Sequence, residues 1–269
     1  MVWVRLVAID IDARVQRALA RHPNILWRGI SSPFRRYLRV FLKSRSRSNL
    51  IQLSLDIENE IICDQFNADE VAFFHDHGWL FIEDFLPNEL YLRLASGWPS
   101  KRWFQPLSKS EVSKTYDSAF KIYVKNEPDA LVPMALSHVY RFFSSKEFES
   151  QIASLSLNSE PMQCYWLTTI NSYWGSGLAP HRDTPEIDSS GRDRRINIIY
   201  FVDSNGEGWE AGGTAILKTN NFSEPVFIPR KLKNSLLIYE TGAPFFHGFP
   251  PIKFGKFRRA LTAHFQPVN

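Results

Sequence analysis

In the stretch LAPHRDTPEI, His181 and Asp183 stand two residues apart, directly after the glycine-bearing run YWGSG. A His-x-Asp pair on its own is ambiguous: it is either a polar turn or half of a metal site. A second imidazole, His247, lies in APFFHGF, just past the β-prone run NSLLIYE. Side chains at i and i+2 of a strand share a face. His181 and Asp183 can therefore converge while Arg182 points away, and a later strand can bring His247 beside them. Two imidazoles and one carboxylate on one face of an octahedron suit Fe(II) and leave three positions open. A chelating cosubstrate would use two of these and O2 the third. A cosubstrate with a free carboxylate then needs a cation nearby, and KFRRALTAHF supplies one eleven residues after His247. In that run Arg258, Ala260 and Thr262 share one face, Arg259 and Leu261 the other. An Arg with a hydroxyl on the same face suits a bidentate carboxylate clamp. The assignment is Arg258 assisted by Thr262, with Arg259 in its place if a bulge shifts the register.

Such a site needs a rigid scaffold. After Pro161 the chain turns into short β-prone runs separated by Gly, Pro, Asn and Asp: MQCYWLTTINSYW, RRINIIYFVD, GTAILKT, EPVFIPR, NSLLIYE and RRALTAHFQ. Strands at this spacing predict a sandwich or barrel, and no helix fits between them. Before them, NADEVAFFHDHG has an N-cap candidate in Asn67 and a stop at Gly78, which predicts a helix. WLFIEDF reads as a short strand, PNELYLRLAS as a second helix, and DALVPMALSHVYRFFSS with KEFESQIASL as a helical pair. The segment 98–128 is mixed; it reads first as a surface loop, with Lys101, Arg102, Trp103 and Phe104 as candidates for a substrate lid.

The 269 residues are 44% hydrophobic with 21 Phe, ample for a core. Cys63 and Cys164 make neither a zinc spacing nor a disulfide framework, which points to a reducing compartment. Arg5, Asp10 and Asp12 fall too early for a signal peptide, so the expected location is cytoplasmic. No apolar run approaches the ~20 residues of a membrane span. The net charge of +4 is uneven: residues 13–55 hold ten Lys or Arg and no acid, residues 1–12 net −1, and residues 56–269 net −5. Two units follow: a basic, partly amphipathic appendage over 1–55 and a main domain over 66–269, with its β core at about 162–267. In PFRRYLRVFLK, Phe34, Tyr37, Leu38, Phe41 and Leu42 oppose Arg35, Arg36, Arg39 and Lys43 at helical spacing. Residues 28–47 thus suit either an anionic membrane surface or a helix packed on the main domain. No base-reading motif accompanies the charge, which argues against nucleic acid.

The ordered set NSYWGSGLAPHRD, RRINIIYFVD, WEAGGTAIL, NSLLIYE, FFHGF and RRALTAHF resembles the Fe(II)- and 2-oxoglutarate-dependent dioxygenases of the prolyl-hydroxylase-like branch, over roughly residues 66–267. HDHGWLFIEDFLPNEL resembles that fold's usual lead-in. The resemblance implies a mainly β fold with flanking helices around a double-stranded β-helix (a jelly-roll or cupin-like core). It implies Fe(II) held by His181, Asp183 and His247, 2-oxoglutarate gripped through its far carboxylate by Arg258, and O2 as co-reactant. Tyr173 matches an aromatic of the family's approach to the first ligand and would line the pocket. Asn197, Ile199 and Phe201 alternate along a strand bordering the cosubstrate. Phe201 stands where the family often has a Tyr to bond the cosubstrate; Asn171, Tyr165 or Asn197 are the candidates to replace that bond. Asp183 favours hydroxylation over halogenation, since related halogenases carry a small residue there.

The implied reaction is hydroxylation of a C–H bond with release of succinate and CO2. The expected substrate is a small molecule or a lipid-linked compound; the alternatives are a peptidyl hydroxylase and a catalytically silent ligand-binding relative. Other tempting residues have bland readings. His75 and His77 sit at a helix end, where His suits the dipole. His264 shares the Arg258 face and could approach the site, but a core role is the default. Gly212 and Gly213 serve a turn, and Trp209 is a candidate border to the substrate.

Overall fold

The computed structural model describes residues 66–99, 105–106, 115–116, 119–125, 134–156, 160–183 and 195–268. The basic segment 1–55, including 28–47, lies outside the described residues, as do Lys101 to Phe104 and residues 184–194.

Helix α1 (Ala68–His77) begins where the sequence predicts. The Asn67 side chain accepts from the Glu70 amide (2.9 Å) and the Glu70 carboxylate accepts from the Asn67 amide (2.8 Å), which closes a reciprocal cap. Gly78 ends the helix at φ 72°, a left-handed turn that glycine makes at least cost. Strand β1 (Trp79–Ile82) and helix α2 (Asn88–Ser96) follow, then the short strands β2 (Gln105–Pro106) and β3 (Thr115–Tyr116) and a longer one, β4 (Ala119–Lys125). Helices α3 (Met134–Phe143) and α4 (Lys146–Leu155) precede the β core: β5 (Met162–Tyr173), β6 (Gly177–His181), β7 (Ile196–Ser204), a single 3-10 turn at Gly208–Ala211, β8 (Ala215–Leu217), β9 (Pro225–Phe227), β10 (Ser235–Glu240), β11 (Phe246–Phe249) and β12 (Phe257–Pro267).

Among the described residues these strands form two sheets. The major sheet runs β1-β10-β7-β12-β5-β4-β2 and the minor sheet β3-β6-β11-β8-β9, with every pairing antiparallel. This is the double-stranded β-helix expected from the sequence. One expectation fails. The segment around Ala119–Lys125 is no surface loop: it pairs with β5 along its whole length and widens the major sheet.

Alternate residues of the major sheet face two different cores. Ile196, Ile198, Tyr200 and Val202 of β7, Leu236 and Ile238 of β10, and Leu261, Ala263 and Phe265 of β12 face outward, where α1, α3 and α4 cover them. Phe142, Phe143 and Phe148 fill that layer with ring centroids 5.0–5.1 Å apart, in tilted and edge contacts. Ile199 and Phe201, Leu237 and Tyr239, and Ala260 face inward toward Ile216 of the minor sheet. The outer layer pins the major sheet, and the inner layer builds the site. No helix among the described residues is long and apolar enough to cross a membrane.

Candidate metal centre

His181 ends β6 and pairs across to His247 on β11, so the two imidazoles lie side by side with ring centroids 4.3 Å apart. Asp183 falls two residues past the strand end and turns to the same point, while Arg182 turns outward to lie over the Phe246 ring. One ligand atom from each of His181, Asp183 and His247 lies within 4.8 Å of the others. Asp183 Oδ1 is 3.3 Å from His181 Nε2 and 3.7 Å from His247 Nε2. Donors about 2.1 Å from a shared ion at right angles stand about 3 Å apart, so small shifts close this set on one metal. The His181 Nδ1–H donates to the Ala179 carbonyl (2.9 Å), which aims Nε2 at the cluster.

Asp183 is held from behind. Asn197 Nδ2 donates to Asp183 Oδ2 (2.7 Å), and the Tyr239 hydroxyl donates to the same oxygen (3.1 Å) while lying 3.3 Å from His247 Nε2. Burial opposes the charge of Asp183, but the His181 hydrogen bond and the neighbouring imidazoles outweigh it and hold the carboxyl well below its usual range. Burial, then the Asp183 charge, push the Tyr239 phenol well above its ordinary value, so it remains a donor. Tyr239 was not singled out in the sequence because SLLIYE reads as a uniform core strand. Its parity with Leu237 is the available signal, since it makes Tyr239 the last inward side chain of β10.

Deeper in the barrel, Arg258 is 3% exposed and faces inward. Its Nη1 donates to the Gly212 carbonyl (2.6 Å) and to Thr214 Oγ1 (2.9 Å), and its guanidinium lies 4.5 Å from the Phe249 ring centroid and 5.2 Å from that of Phe201. Nε is buried with no partner, and no carboxylate among the described residues pairs with it. Burial lowers its pKa to about 9. A buried cation without a counter-ion is a costly arrangement, and an anionic ligand resolves it. Gly212, at φ 85°, does more than turn the chain. A Cβ there would come within 2.8 Å of Ile252 Cδ1 and 3.3 Å of Arg258 Cδ, so glycine keeps the clamp's stem in place. Arg259 points the other way and pairs with Asp203 (3.3 Å), which removes it as the alternative clamp.

The remaining candidates divide. Thr262 lies on the Arg258 face, beside Ile199 and Thr168. Asn197 faces inward but spends its amide on Asp183. Asn171 is corrected: it sits on the outer face and accepts from Trp98 Nε1 (2.9 Å), out of reach of the pocket. Tyr173 is corrected too. It pairs with Phe257, whose ring lies under Arg259, and so belongs to the face opposite Arg258. Tyr165 is the extra residue of a bulge in β5, between the pairs Cys164–Phe265 and Trp166–His264. The bulge turns both aromatics toward His264 at the rim, with ring centroids 6.1 and 6.4 Å away. His264 therefore faces the site and not the outer core, and burial, partly offset by the Asp183 charge, lowers its pKa. Trp209 packs edge-on against Phe222 (5.7 Å) and not toward the metal cluster. His77 stacks on Phe73 (4.0 Å), a packing role.

No protein-family model matches the sequence, and no curated protein matches it. Solved structures do. The chain is similar to a prolyl hydroxylase from Trichoplax adhaerens, solved in complex with a hypoxia inducible factor peptide (14% identity, 76% of this chain, 96% of that chain, TM-score 0.56). It is similar to a Pseudomonas putida prolyl-4-hydroxylase (16%, 75% and 98%, TM-score 0.52). It is also similar to HygX from Streptomyces hygroscopicus, solved with nickel, 2-oxoglutarate and hygromycin B (11%, 76% and 88%, TM-score 0.54). The fold is that of the Fe(II)/2-oxoglutarate oxygenases. At these identities the likeness speaks for the fold; the chemistry rests on the residues.

Proposed function

We propose that the protein is an Fe(II)- and 2-oxoglutarate-dependent oxygenase that hydroxylates a C–H bond of a small-molecule substrate. The observation that carries this reading is Arg258, a buried cation without a counter-ion among the described residues, set inside the same barrel as the converging His181, Asp183 and His247. A metal site alone would not need that cation; a dicarboxylate cosubstrate does. Bound Fe(II) with 2-oxoglutarate supplies C–H oxidation by O2, with succinate and CO2 released. The chain's own residues do the rest. Arg258 takes the far carboxylate, with the Thr214 hydroxyl and Gly212 carbonyl fixing the guanidinium plane. Phe201 and Phe249 set apolar rings against the guanidinium, and Ile199 adds apolar surface on the same inner face. Thr262 adds a hydroxyl on the Arg258 face. Of the similar solved structures, one holds a peptide and another hygromycin B, so a peptide and a small molecule are the two substrate kinds to test.

The basic amphipathic stretch at 28–47 is the reason to extend the reading to lipid-linked substrates at an anionic membrane surface. Partition onto anionic vesicles that is the same with and without residues 1–55 would remove that extension. For the core reading, anaerobic addition of Fe(II) and 2-oxoglutarate should give the weak visible charge-transfer band of the chelate. The band should be absent in His181→Ala. A wild-type protein without it contradicts the proposal. Mass spectrometry of turnover mixtures separates the two substrate kinds by whether a peptide or a small molecule gains one oxygen atom.

A further inference from the structure

Asp183 receives two hydrogen bonds on one oxygen and leaves the other to the imidazoles. Oδ2 accepts from Asn197 Nδ2 (2.7 Å) and from the Tyr239 hydroxyl (3.1 Å), while Oδ1 stands 3.3 and 3.7 Å from the His181 and His247 Nε2 atoms. The two donors are a directly opposed cross-strand pair, Tyr239 of β10 against Asn197 of β7, on the inner face of the major sheet. Their acceptor hangs from the minor sheet. Both donor residues are buried, at 5% and 1% exposure.

Asn197 bears a cost in this arrangement. Its Oδ1 is buried with no partner among the described residues. Turning the amide over would set oxygen against the carboxylate, so the orphaned carbonyl follows from committing Nδ2 to Asp183. A buried acceptor left unpaired is unfavourable, and its retention beside a metal-ligand set points to a positioning role.

We propose that Tyr239 and Asn197 form a two-donor clamp that fixes Asp183 as a one-oxygen metal ligand. This rests on the metal-site reading above. With Oδ2 saturated by hydrogen bonds, the carboxylate offers Oδ1 alone and does not swing to a two-oxygen mode. A bidentate Asp183 would take one of the three positions that a six-coordinate ion has left after the protein ligands. The clamp keeps those positions for other ligands. Tyr239 and Asn197 are positioning residues: they act through Asp183.

Anaerobic titration of the metal-free full-length protein with Co(II) alone tests this. Tyr239→Phe and Asn197→Ala should each weaken Co(II) binding about 10-fold, and the double variant more, up to about 100-fold, the range found for partners that orient metal ligands. The visible Co(II) spectrum should change in shape, reporting altered coordination and not occupancy alone. Tyr200→Phe removes another buried tyrosine hydroxyl of this sheet, on its outer face, and should leave affinity and spectrum as in wild type. Thermal unfolding of the metal-free variants checks folding. Variants that bind Co(II) like wild type with the same spectrum, whatever their unfolding temperature, overturn the clamp. Wild-type protein that does not bind Co(II) overturns the metal site itself, a distinguishable result. Should the double variant not fold, the single Tyr239→Phe decides.

Discussion

The two faces of the major sheet differ in where buried polar atoms go without a partner. On the outer face the described groups are satisfied: Asn171 accepts from Trp98, the Tyr140 hydroxyl meets Thr169, and Tyr200 donates to Asn234 Oδ1 (2.8 Å). On the inner face, Arg258 Nε and Asn197 Oδ1 are buried without a partner among the described residues. Both faces are made by the same strands, so composition does not distinguish them. The satisfied face holds the fold together, and the under-satisfied face is organised around something the chain does not itself provide. Stability and function are thereby separated at a spacing of one residue, and substitutions on the two faces should fail in different ways.

The largest effect belongs to the outer face. Phe148→Ala empties a fully buried site among Phe142, Phe143 and Phe265 and should cost about 3–5 kcal/mol in denaturant unfolding. The fraction that stays folded should bind Fe(II) and 2-oxoglutarate like wild type. Weakened binding at full folding would break the comparison. Arg258→Met reverses the pattern. Anaerobic 2-oxoglutarate affinity should fall about 100-fold, or about 2.7 kcal/mol, as a charge-assisted pair is lost. Unfolding of the ligand-free protein should be unchanged or improved, because a costly buried charge is gone. A large loss of stability would mean that the cation belongs to the fold.

Asn171→Ala comes next. It strands the Trp98 N–H and should cost about 1–3 kcal/mol of stability without touching 2-oxoglutarate affinity. Lost affinity would return Asn171 to the pocket. The smallest effect concerns Cys164, on the outer face, whose thiol is pushed up to about 12 chiefly by burial. Only the unfolded chain gains by ionising near its ordinary value of about 8.5. Below that value Cys164 contributes no pH dependence, and above it stability falls by about 1.4 kcal/mol per pH unit. Comparing Cys164→Ala with wild type from pH 7 to 9.5 isolates the slope, and equal slopes would place the thiol nearer solvent.

Much of this could be read from the sequence where the rule is local. The Asn67 cap and Gly78 stop are contained within a few residues, and the β-prone runs separated by turn residues gave the barrel. The ligand triad and Arg258 were legible because i, i+2 parity and chain order place them. Asn171 and Tyr173 were misplaced because parity within β5 does not say which parity faces inward; that depends on its register with β12. Ala119–Lys125 was hidden in a polar segment because only pairing with β5 makes it a strand. Tyr239 escaped because its significance depends on a carboxylate 56 residues earlier in the chain.

The bulge at Tyr165 has a consequence for how the strand accommodates an extra residue. It takes up that residue three pairs from the end of the β5–β12 ladder, so pairing from His264 back to Phe257 runs without a slip against β5. Beyond it Cys164 and Met162 still meet the outer core with Phe265. One added residue is thus absorbed locally, disturbing neither the core behind the sheet nor the register that aims Arg258 inward.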